Sequence, residues 1–62
     1  MIKYIYEIVA VETVEEDGKK SLAPIGDALY SDDKLIAQCL AEQMAQVYKR
    51  AEKVLVYENL LQ

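Results

Sequence analysis

The sequence has no histidine, one cysteine, one proline and two glycines in 62 residues. Without histidine there is no Ser-His or Cys-His pair for nucleophilic catalysis. Gly18 and Gly26 stand alone, so no glycine-rich loop is present to cradle a phosphate. Cys39 is the only thiol, which excludes an intrachain disulfide and leaves no four-ligand nitrogen and sulfur set for structural zinc. No stretch approaches the ~20 apolar residues a membrane helix needs. Glu7 and Glu12 interrupt the apolar N-terminal run, which does not read as a signal peptide. Basic residues are few and scattered: seven Lys and Arg stand against eleven Asp and Glu, for a net charge of −4. The only basic pairs are Lys19–Lys20 and Lys49–Arg50. Counterion release on nucleic acid and attraction to anionic lipid both need clustered cations, so direct nucleic-acid or membrane binding is disfavoured. The carboxylates fall at a turn, at a helix start and on an exposed helix side, which is no acid–base pair in a cleft. The expectation is a soluble cytoplasmic chain that is not an enzyme and carries no cofactor or metal.

What is abundant is apolar surface at the N-terminus. Ten of the first fourteen residues are apolar (Met1, Ile2, Tyr4, Ile5, Tyr6, Ile8, Val9, Ala10, Val11 and Val14). They occupy both phases of a strand, whereas a half-solvated strand alternates. A domain this small buries only about 60% of its unfolded surface and usually gains stability from disulfides, a metal or oligomerisation. The first two are excluded, so good packing or association remains.

The pattern predicts an α+β domain of order ββαβ: a three-stranded sheet with one helix on one face and strand one central. Strand one covers residues 2–14, and its even phase (Ile2, Tyr4, Tyr6, Ile8, Ala10, Val14) is assigned to the core. Glu15-Glu16-Asp17-Gly18-Lys19-Lys20 reads as a hairpin tip with a type I′ turn at Asp17-Gly18, acids facing lysines. Strand two starts near Lys19 and runs to about Ala23. Pro24 and Gly26 interrupt it and place it at an edge, and Ala28-Leu29-Tyr30 is read as a short extended stretch that resumes before the helix. Ser31-Asp32-Asp33 supplies a helix cap, and the helix runs to about Arg50 without Gly or Pro. Its broad apolar face holds Ile36, Val47, Leu40, Ala51, Met44, Ala37, Tyr48 and Ala41, with Cys39 at the edge as a small buried hydrophobe. Strand three covers residues 53–59 and is expected beside strand one, parallel to it.

One helix covers only one sheet face. The odd phase of strand one (Ile5, Val9, Val11), joined by Leu55 or Tyr57, is therefore the expected self-association surface of a homodimer. The five tyrosines offer apolar area with a polar tip, as interfaces favour. Tyr4, Tyr6 and Tyr48 are assigned to the core margin, Tyr30 and Tyr57 to partly exposed positions. A protein partner is expected at Glu15, Glu16, Asp17, Tyr30, Asp32 and Asp33. The acids Glu7, Glu12, Glu15, Glu16 and Asp17 along the hairpin, with Asp27, Asp32 and Asp33 before the helix, form a carboxylate row that either imitates a nucleic-acid backbone toward a basic groove or serves as a solubilising surface.

In size, order of elements and missing catalytic residues, the chain resembles the small proteins encoded by phages and other mobile elements, which often act by binding a host protein. The resemblance is one of type and rests on no motif. With the residue pattern it implies a small acidic interaction module that modulates or inhibits a larger protein; a structural or accessory oligomeric module is the alternative.

Overall fold

In the computed structural model, which describes residues 3–61, strand β1 (Lys3–Glu16) is followed by strand β2 (Lys19–Ser31), helix α1 (Lys34–Val47) and strand β3 (Lys53–Leu61). The sheet order is β2-β1-β3, so β1 is central, and one helix packs on the sheet as the α+β pattern predicts. Ile2, the expected start of strand one, lies outside the described residues.

The β1–β2 hairpin follows its turn chemistry. Asp17 and Gly18 both hold positive φ, 54° and 77°, as a two-residue primed turn requires. Glu16 then pairs with Lys19 and Glu15 with Lys20. β2 does not end at the break after Ala23, and the stretch expected to resume at Ala28-Leu29-Tyr30 belongs to it. It continues to Ser31 by way of an irregularity: Ala10 faces Ile25 and Ile8 faces Leu29, so three β2 residues stand opposite Val9 alone. Gly26 turns this corner with φ 67°. The shift equals two residues, which preserves the alternation and leaves Ile25 and Leu29 on the same side.

β3 is antiparallel to β1, not parallel as expected. The hairpin reverses the chain once and the helix reverses it again. β3 therefore runs with β2, and β1 lies between them in the opposite sense. The helical crossover thus joins two parallel strands across an interposed third.

Helix α1 starts where Asp33 accepts hydrogen bonds at Oδ1 from the amides of Leu35 (2.9 Å) and Ile36 (3.1 Å). It ends at Val47, short of Arg50, and the Tyr48 amide donates to the Met44 carbonyl. The core lies between the helix and the even face of β1. It consists of Ile8, Ala10, Ile25, Ala37 and Met44, with Tyr6, Leu40, Ala41, Tyr48, Ala51 and Val54 packed around it. Ala37, fully buried, lets the helix backbone approach the sheet. The buried stripe is narrower than expected: Ile36 and Val47, at its edge, are exposed. Cys39 is exposed rather than buried. It sits two residues from Ala37, about 200° around the helix, and so faces away from the sheet. Tyr4 is likewise an exposed rim residue, whereas Tyr6 and Tyr48 pack on the core.

The molecule is elongated, 46 × 25 × 14 Å, with a radius of gyration of 13.2 Å. A compact domain of this length has about 10.6 Å. Beyond Val11 and Pro24, β1 and β2 run on without β3, forming a two-stranded arm.

Candidate functional site

Directly opposed residues of an antiparallel ladder share a face. The register therefore maps the sheet face opposite the helix, the open face, row by row. Lys3 lies beside Leu61, Ile5 beside Asn59, and Val9 beside Leu55. Glu7 stands between Tyr30 and Tyr57, and Val11 between Pro24 and Lys53. On the arm, Thr13 faces Leu22 and Glu15 faces Lys20. Among the described residues no element covers this face.

Its exposure follows from the packing. Tyr30 is 59% exposed, and Tyr57 and Leu22 are each 47% exposed. Ile5, Val9 and Leu55 are half-buried by their sheet neighbours alone. Val11 is already buried. It is flanked by Pro24 and Lys53, and the Thr13 hydroxyl beside it donates to the Glu52 carboxylate. The Glu52 amide also donates to the Val11 carbonyl at 2.9 Å, which ties the start of β3 to β1.

One carboxylate sits in the middle of this face. The Tyr30 hydroxyl donates to Glu7 Oε2 at 3.0 Å. That bond, the Glu7 charge and partial burial all raise the Tyr30 phenol above its ordinary value, because each favours the neutral phenol. On the helix face, Tyr6 is also raised, first by burial and then by Glu58, Tyr4 and Asp33.

The five residues expected for self-association, Ile5, Val9, Val11, Leu55 and Tyr57, thus lie in adjacent rows of one face. The six expected for a partner do not form one patch. Glu15, Glu16 and Asp17 sit at the arm tip, where Lys20 and Lys19 oppose the two glutamates. Asp32 and Asp33 lie before the helix, and Asp33 is occupied in capping it. The rows of Glu7 and Glu15 are about 27 Å apart at 3.4 Å per residue. Tyr30 belongs with Glu7 on the open face. The acids of β1 also divide between faces: Glu12 points to the helix side, where Arg50 Nε lies 2.9 Å from its Oε2 as a charge contact without hydrogen-bond alignment. Leu22, Pro24 and Leu61 complete the open face, and sequence reasoning missed them. The first two were within reach once the turn at Asp17-Gly18 set the pairing; Leu61 needed the antiparallel register of β3.

Two grooves flank the helix on the other side. The larger, about 370 Å³, lies between α1 and β2 and is lined by Asp27, Leu29, Leu40, Gln43, Met44, Val47 and Tyr48. The smaller, about 240 Å³, lies between α1 and β3. Among the described residues no group of three or more Cys, Asp or Glu is placed to hold a metal ion, and no helix is long and apolar enough to cross a membrane.

The chain matches no family model, no curated protein and no solved structure.

Proposed function

We propose that this chain is a protein–protein interaction module of the cytoplasm: it pairs with a second copy of itself through the open sheet face and, as a dimer, binds and modulates a larger protein. The observation that supports this reading is the open sheet face, on which Ile5, Val9, Leu55, Tyr57, Tyr30, Leu22 and Pro24 surround Glu7 with no described element over them. Large exposed apolar patches on small folded domains mark interaction sites.

The surface area agrees in size. The chain exposes 4956 Å², whereas a compact monomer of 7.1 kDa exposes about 4,100 Å². The excess of roughly 800 Å² goes with the elongated shape, and it is area enough for one side of a standard interface. The arm tip, with its paired acids and lysines, and the acidic approach to the helix remain as charged surface for a larger partner.

Sedimentation at micromolar concentration tests the self-association, and a monomer at every concentration would sink it. Val9→Lys places a charge in the central row without touching the helix-side core. The expected outcome is a folded monomer, with the circular dichroism of the parent and loss of the dimer.

A further inference from the structure

Resting on the self-association reading, we infer that the second copy packs face to face and antiparallel, about a two-fold axis that crosses the strands at Val9, so that Glu7 of each copy meets Lys53 of the other. The charges of the open face carry this choice. Val9 and Leu55 form a wholly apolar row. Two residues along β1 on one side lies Glu7; two residues on the other side lies Val11, with Lys53 beside it. Six residues out on either side stand Lys3 and Glu15.

An axis through the Val9 row that reverses strand direction exchanges these rows. Glu7 then faces the row of Lys53, one strand spacing to the side, and Lys3 faces Glu15. Both exchanges pair opposite charges. An axis running along the strands does the reverse: it stacks the Glu7 row on itself, bringing two carboxylates together in an apolar layer. A buried carboxylate is costly unless paired and hydrogen-bonded. In the antiparallel arrangement Glu7 keeps the Tyr30 hydroxyl as a donor and gains an ammonium.

The arrangement is an aligned sandwich with sheets about 10 Å apart and strands crossing near −30°. The inner pair, close to the axis, is the specific contact. The outer pair diverges with the crossing angle and acts by steering. Both helices and both grooves then face outward, at opposite sides of the sandwich.

Charge reversal tests this. Lys53→Glu alone sets two carboxylates against each other at both inner contacts of the dimer, and Glu7→Lys alone sets two ammonium groups there. Each is expected to weaken self-association about tenfold at low salt, as for close interfacial charge pairs. A mixed dimer of the two single variants sets opposite charges at both inner contacts, and so does the dimer of the double variant, which needs no second chain. Sedimentation of the double variant should show the dimer return at near parent affinity. If Glu7→Lys unfolds on losing its Tyr30 bond, the pair Lys3→Glu and Glu15→Lys repeats the experiment at the outer row, with a smaller effect. A parent chain that dimerises while Lys53→Glu dimerises equally well overturns the antiparallel packing and leaves self-association standing. A folded double variant that fails to recover the dimer overturns it too. A parent chain that stays monomeric overturns the underlying reading itself.

Discussion

Gly26 shows how one residue sets the course of an edge strand. Its φ of 67° is a backbone state that a side chain resists, and a Cβ there would stand 2.5 Å from the Tyr48 hydroxyl and 3.0 Å from the ring carbon that carries it. The glycine therefore answers two demands, the bulge geometry of β2 and the seating of the helix C-terminus. Gly26→Ala is expected to destabilise the fold by about 2 kcal/mol. In a Tyr48→Phe background, which removes the nearest atom, the penalty should fall toward the roughly 1 kcal/mol that the left-handed conformation costs by itself. Urea denaturation of the four proteins in the cycle checks this; equal penalties in both backgrounds would show that Tyr48 does not constrain the site. The sequence marks Gly26 as a break in strand two, and that much is legible because glycine and the nearby Pro24 punctuate a strand pattern. The resumed extended stretch at Ala28-Leu29-Tyr30 is legible as well, but its pairing with β1 as far as Ser31 depends on a two-residue shift that keeps Leu29 facing the helix, which no local signal encodes.

The elements themselves obey local rules closely. The Asp17-Gly18 turn, the Asp33 cap and the glycine-free run behind it are properties of a few adjacent residues; the turn and the cap form where expected, and the helix behind the cap ends at Val47, short of Arg50. Asp33→Ala removes the acceptor for two amides at once and is expected to cost about 1 kcal/mol, while Asp33→Ser should cost only a few tenths. Thermal or urea unfolding distinguishes the two; equal losses would mean that the carboxylate acts by charge rather than as a cap. The helix face is read less well. A 100° periodicity places Ile36 and Val47 with the core residues, yet Val47 is 73% exposed. The helix stands on three strands with Ala37 and Met44 at the centre of contact, so residues about 70–90° away from that line reach past the sheet.

For the whole molecule, many large apolar side chains stay exposed, among them Leu22, Tyr30, Leu35, Tyr57 and Leu60. Among the described residues only six hydrophobic side chains are buried, Ile8, Ala10, Val11, Ile25, Ala37 and Met44, which is a thin core for an elongated chain. If the open face is closed by a second copy, folding and association are linked by mass action. The melting temperature should then rise by about 5–10 °C between roughly 1 and 100 µM protein, given the small unfolding entropy of a domain this size. Calorimetry or dichroism at several concentrations measures it, and a concentration-independent midpoint would separate folding from association.

The candidate surface was half legible for a related reason. Ile5, Val9, Val11, Leu55 and Tyr57 announce themselves because period two assigns each to a face and the helix claims only the other. Tyr30 did not, since its row is set by the bulge at Gly26, and its bond to Glu7 spans 23 residues of sequence. By itself the sequence determined the element order, the turn, the cap and the two-sided apolarity of the central strand, all of which follow from short-range periodicity and residue chemistry. Only the tertiary structure decided the antiparallel return of β3, the bulge opposite Val9 and the opposition of Lys53 to Val11. Those depend on strand direction and register, which are settled by pairing between distant segments and not by any residue's neighbours in the chain.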